Sequence, residues 1–127
     1  PDNSTAHFDW QEFKSPRDSS SVGKLPLARL IYNGRMLMWA LEGLRSRLGN
    51  VRIHINSGFR SVQYNAAIGG ASDSMHMYFL AADISVRDHS PEAVASSAKH
   101  CGFSGIFVYP GHTHIDLRAR IGRPWVW

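Results

Sequence analysis

Apolar and polar positions repeat with two different periods along this chain, and each change of period marks an element. Leu30, Leu37, Leu41, Leu44 and Leu48 recur at helical spacing within LPLARLIYNGRMLMWALEGLRSRLGN, which predicts a helix with one face on a core. Gly49-Asn50 ends that helix well, whereas Asn33-Gly34 predicts a kink or a delayed start. VRIHINS then switches to period two. Val51, Ile53 and Ile55 alternate with Arg52, His54 and Asn56, the pattern of a strand buried on one side. GFRSVQYNAAIGGASDS opens as a turn, holds a short helix over 62–68 and loosens at Gly69-Gly70. AADISV predicts a second strand. Ser90-Pro91-Glu92 offers an N-cap, a proline at the first helical position and an acid in the first turn. That helix runs to about His100, and Gly102 stops it. GIFVY, a Pro110-Gly111 turn and HTHIDLR predict a third and a fourth strand. The pattern is that of an α+β fold, a small, mainly antiparallel sheet with helices packed on one side.

The length, 127 residues, suits one domain over 1–127 with a core that needs no disulfide staples. Residues 1–24 form a polar arm, and Phe8, Trp10 and Phe13 are spaced to pin it down. The net charge of +4 arises in the first half, where residues 1–63 carry nine Lys/Arg against five Asp/Glu and the rest carries five of each. No Lys/Arg run or nucleic-acid motif accompanies it, so a nucleic-acid partner is not expected; a mild basic bias suits a polyanionic surface. Cys101 is alone, which excludes an internal disulfide and a cysteine zinc site, and reads as a buried thiol near a helix end. No apolar run is long enough to span a membrane, and no signal peptide is visible. The chain starts at Pro1 rather than Met, which is compatible with removal of an upstream segment.

The chemistry concentrates in two places, SDSMHMYFLAAD and HTHID. On the fourth strand, His112, His114 and Asp116 share one face, and Thr113, Ile115 and Leu117 share the other. Asp83 lies between Ala82 and Ile84, which point opposite to it, and His76 enters from the preceding loop. If the second and fourth strands are neighbours, His76, Asp83 and His114 meet. Two imidazoles and a carboxylate form a normal zinc set, and three protein ligands leave a fourth position for water. Ser74 or Asp116 could partner the far ring nitrogens. The competing reading is that each histidine is a surface or capping residue.

SGFRS, YNAAIGGASDSMHMYFLAADISV and GIFVYPGHTHIDLRARIGRPW resemble the M15 zinc peptidases, which include D-alanyl-D-alanine carboxypeptidases and L-alanyl-D-glutamate endopeptidases. They share a core fold with the hedgehog signalling domain. The likeness covers roughly residues 8–125. It implies a hydrolase, a metallopeptidase cutting stem peptides of bacterial peptidoglycan, with one zinc ion held by His76, Asp83 and His114. It implies that His112 lies beside the zinc-bound water, stabilising the transition state or shuttling protons. Arg60 would hold a substrate carboxylate or carbonyl, Ser74 would support the site or touch substrate, and Asp116 would stand behind the ligands. A monomer that is periplasmic, extracellular or phage-associated, such as an endolysin serving cell wall degradation, fits that substrate. The alternative is a non-catalytic zinc-containing domain of the same fold that binds cell wall or a protein.

Two positions depart from the family pattern. Phe79 stands where relatives usually have glycine, and either lines the cleft, narrows it or buries itself. Gly111 stands where many relatives have an acidic general base, which leaves that work to His112, Asp73 or Asp116, or else implies weak catalysis. Tyr109 is expected to form a cleft wall or to pack in the core, and His54 to border the cleft or lie at the surface. His7, His89 and His100 have no motif around them. Trp125 and Trp127 are expected to cover core or interface. Arg118, Arg120 and Arg123 make a basic cluster that is either solvated or in contact with anionic wall polymer.

Overall fold

A computed structural model describes residues 4–121. Its elements are α1 (Leu27–Arg47), β1 (Ile53–Ser57), α2 (Val62–Ala67), β2 (Ala81–Val86), α3 (Pro91–Ala98), β3 (Gly105–Tyr109) and β4 (His112–Asp116), with short 3₁₀ turns at Trp10–Phe13, Met75–Tyr78 and Arg118–Ile121. The four strands form one sheet in the order β1-β2-β4-β3, antiparallel throughout. The expected α+β architecture is therefore present. Trp125, Trp127 and Arg123 lie outside the described residues.

One face of the sheet is the core. Ile53, Ile55, Ala82, Ile84, Val86 and Ile115 pack there with Leu30, Leu37, Leu41 and Leu44 of α1 and Val94 and Ala98 of α3. Burying a leucine of this kind contributes about 2 kcal/mol, so the leucine stripe alone anchors α1. α3 begins as its sequence predicts: Ser90 caps it, accepting from Ala93 N–H at 3.1 Å. It ends at Ala98, two residues earlier than expected, before Gly102 turns with a φ of 88°.

α1 runs unbroken through Asn33-Gly34, against the expected kink or late start. Both residues are used by tertiary contacts that local propensity does not see. Asn33 is buried and donates to the Tyr78 carbonyl at 3.0 Å. Gly34 has no Cβ because the Trp10 and Phe79 rings lie where one would be, 2.8 and 3.0 Å from that position.

The described part of the N-terminal arm, from Ser4 onward, is docked. Asp9 and Glu12 form a reciprocal capping box around the 3₁₀ turn, which satisfies donors that would otherwise be orphaned. Phe8 and Phe13 are buried, and Phe13 accepts a backbone hydrogen bond from Phe59 at 2.8 Å. Further along, Asp18 is buried and receives Ser61 N–H at 2.8 Å and Ser61 Oγ–H at 2.7 Å. The arm thus clamps the loop that carries Arg60.

Phe79 buries itself. Its ring packs against Trp10, Phe13 and Phe59 at centroid distances of 5.7, 5.9 and 5.5 Å. Its backbone occupies the left-handed region, φ 56° and ψ 38°, the conformation that suits glycine. The turn needed for a glycine is retained, and the strain is offset by aromatic burial.

Candidate metal centre

β2 and β4 are neighbours, and Asp83 lies directly opposite His114 in their register. Their side chains leave the sheet on the face away from the core. His76 arrives from the 3₁₀ turn Met75–Tyr78, whose N-cap is Ser74; Ser74 Oγ accepts the His76 amide at 3.2 Å. One ligand-type atom from each of His76, Asp83 and His114 lies within 4.8 Å of the others. Asp83 Oδ1 is 3.3 Å from His76 Nε2 and 2.9 Å from His114 Nδ1. The two rings meet edge to face at 5.3 Å.

The far nitrogen of each imidazole has an acceptor. His76 Nδ1 lies 2.6 Å from the Gly58 carbonyl oxygen, which can only accept, so Nδ1 carries a proton and Nε2 offers its lone pair to the shared point. His114 Nε2 lies 2.8 Å from Asp116 Oδ2, which leaves Nδ1 for the same point. Such outer partners fix the tautomer and orientation of metal-ligating histidines. Of the two candidates from sequence, Asp116 contacts a ring nitrogen; Ser74 contacts the backbone of His76 instead.

The charges are arranged for a cation. Burial holds the pKa of His76 down, partly opposed by Asp83, so the ring stays neutral as a ligand must. Burial also lowers that of His114, but hydrogen bonds to Asp116 and Asp83 outweigh it and raise the value. The His114 ring thus lies between two carboxylates, Asp83 at Nδ1 and Asp116 at Nε2. Burial works against ionising Asp83, yet hydrogen bonds from His114 and His76 keep it well below the usual carboxylate range. Asp116 is fully buried; hydrogen bonds from His114 and Arg118 overcome its desolvation and lower it to about 2.

Asp116 is also held by Arg118, through Nε at 3.0 Å and a terminal nitrogen at 2.8 Å. The Arg118 guanidinium lies 5.1 Å over the Phe107 ring, and Phe107 packs on His114. Arg118 is thus part of the centre's support, not a free member of a basic cluster. Gly105 faces Asp116 across β3–β4, and any Cβ there would fall on the carboxylate.

Arg60, Ser74, Asp73, His112, Tyr109 and Arg118 join the three ligand-type residues around a cleft of about 490 Å³. Arg60 donates to Ser57 Oγ and Asn65 Oδ1, each at 3.2 Å, and lies 3.5 Å from Asp83 Oδ2. His112 stacks on Tyr109, with centroids 4.9 Å apart and planes at 14°, so Tyr109 is a cleft wall. Asp73 accepts from Tyr78 Oη–H at 2.7 Å. Gly111 has φ 85° and completes a Pro-Gly turn between β3 and β4, where glycine fits. Of the three candidate bases, Asp116 is fully engaged away from the cleft; His112 and Asp73 line it. His54 borders a different groove. Sequence reading missed the Gly58 carbonyl, which has no side-chain signature, and Asp18 and Asn65, whose partners lie in other segments.

A family model described as Peptidase M15 matches residues 6–116. The chain is 36% identical to a zinc D-Ala-D-Ala carboxypeptidase from Streptomyces albus G, over 98% of this chain and 50% of that protein. The chain spans about half the length of this curated relative.

Proposed function

The chain belongs to the peptidase M15 family, and from that premise we propose that it hydrolyses peptide bonds in the stem peptides of bacterial peptidoglycan as a zinc metallopeptidase. The observation that carries this is the convergence of His76, Asp83 and His114 at the floor of an open cleft, with both imidazoles braced from behind. Two histidines and one carboxylate suit zinc and leave a coordination position for solvent. Zinc, when bound, supplies a Lewis acid and a water whose pKa falls toward ~7. That the Streptomyces protein is a zinc D-Ala-D-Ala carboxypeptidase supports the same metal and substrate class here.

The chain's own residues divide the remaining work. His112 lines the cleft two residues before His114 and stacks on Tyr109, which suits it to hold and return the proton that the leaving amine needs. Arg60 stands beside Asp83, oriented by Ser57 and Asn65, and its fork suits a substrate carbonyl or carboxylate. Ser74 fixes the backbone that delivers His76. Asp116, with Arg118 behind it, orients His114. Residues 1–127 are read as one catalytic domain, and action on cell walls, as in an endolysin, is the corresponding role. Digesting purified peptidoglycan with the zinc-loaded protein and with His112→Ala tests the proposal. Cleavage by the first and at least a hundredfold slower cleavage by the second is expected; metal bound with no cleavage by either overturns it.

A further inference from the structure

The sheet face that carries Asp83 continues along β2. Ser85 is the next outward position and pairs with His54 on β1. The ladder closes at Ile53↔Val86, and the chain leaves it on the two sides as Arg52 and Arg87. Arg52, His54, Ser85, Val86 and Arg87 line one groove of about 480 Å³. Arg52, His54 and Arg87 are exposed. Among the described residues no carboxylate lines this groove, and none of the three takes part in an ion pair. Like charges at facing strand positions are unfavourable. An anion between them turns repulsion into two charge-assisted contacts.

We propose that this groove is a second, anion-binding subsite, which takes a free carboxylate of the peptidoglycan whose peptide lies in the metal cleft. The proposal rests on the peptidoglycan reading above. A guanidinium fork matches a carboxylate with two parallel hydrogen bonds. Asp83 and Arg87, the residue just beyond the end of β2, are four residues apart, about 13 Å at ~3.3 Å per residue, which is the length of about four residues of extended peptide. A polymer reaches both places at once, and a short peptide reaches only the metal.

The test uses the chain carrying His112→Ala, so that polymer is held and not consumed, and insoluble peptidoglycan freed of phosphodiester polymers. Co-sedimentation is compared with and without the additional changes Arg52→Gln and Arg87→Gln. Removing two charge-assisted contacts is expected to weaken binding about tenfold. Raising salt should weaken the parent more than the variant, and amidating the peptidoglycan carboxylates should abolish the difference. The melting temperature should stay level or rise, because a repulsion is removed. Equal binding by both proteins, or a difference that survives amidation, overturns the subsite. A difference confined to walls that keep their phosphodiesters overturns the carboxylate assignment. If protein with His112 intact cleaves no peptidoglycan, the hydrolase reading fails while sedimentation still decides the subsite.

Discussion

Asp116→Asn changes one atom of a buried carboxylate and should disable the proposed ligand His114, two residues away. Asp116 accepts from His114 Nε2 at 2.8 Å and from Arg118 Nε and a terminal nitrogen at 3.0 and 2.8 Å. Asparagine has one oxygen and one NH₂ in their place. If the oxygen takes the Oδ1 place, where it accepts from the Arg118 amide and Nε, the NH₂ takes the Oδ2 place and faces His114 Nε2. The imidazole must then accept there and carry its proton on Nδ1, the nitrogen 2.9 Å from Asp83 that faces the shared point. A protonated Nδ1 cannot bind metal. Flipping the amide restores the tautomer but sets NH₂ against the guanidinium. Outer partners of this kind are worth about 10–100-fold in metal affinity, or roughly 1.4–2.7 kcal/mol. Competition for zinc against a chromophoric chelator at neutral pH measures it. Zinc affinity within twofold of the parent would refute the tautomer argument. Unfolding of the metal-free variant serves as a control, with a loss of about 1–3 kcal/mol expected from the weakened hydrogen bonds.

Three further outcomes follow from the geometry. Phe79→Gly relieves a left-handed backbone, worth about 1–2 kcal/mol, but removes a buried ring, worth about 3–5 kcal/mol; denaturant unfolding should show a net loss of about 2 kcal/mol, with peptide turnover within twofold because the ring lies away from the cleft. Asp18→Ala strips two partners from Ser61 and should cost about 2–4 kcal/mol in chemical denaturation, with a lower kcat/KM as the Arg60 loop loosens. In the metal-free protein Asp83 and Asp116 are held below ordinary carboxylates, Asp116 at about 2. Their contribution to stability is complete above the unfolded value near ~4 and is lost as pH falls toward about 2; a melting temperature flat across that interval would contradict their pairing.

Much of the site was legible because a strand has period two. HTHID announces a polar face, and Ala82 and Ile84 fix which way Asp83 points. That β2 lies beside β4, with Asp83 opposite His114, is a matter of topology and had to be conditional in the sequence. Local signals also failed where tertiary contacts outweighed them. Asn33-Gly34 reads as a break, yet both residues are spent on contacts with Tyr78, Trp10 and Phe79. Arg118 reads as a surface cation because nothing in RAR indicates a buried carboxylate behind it. The His76 support is a main-chain carbonyl, invisible to any reading of side chains.

The most direct measurement is mass spectrometry of peptidoglycan fragments released by the metal-stripped protein before and after one equivalent of zinc, alongside His114→Ala treated in the same way. No release is expected without the ion, a single kind of stem-peptide bond is broken once it is restored, and none is broken with the variant. Release that ignores zinc, or that persists when His114 is gone, would contradict the metallopeptidase reading.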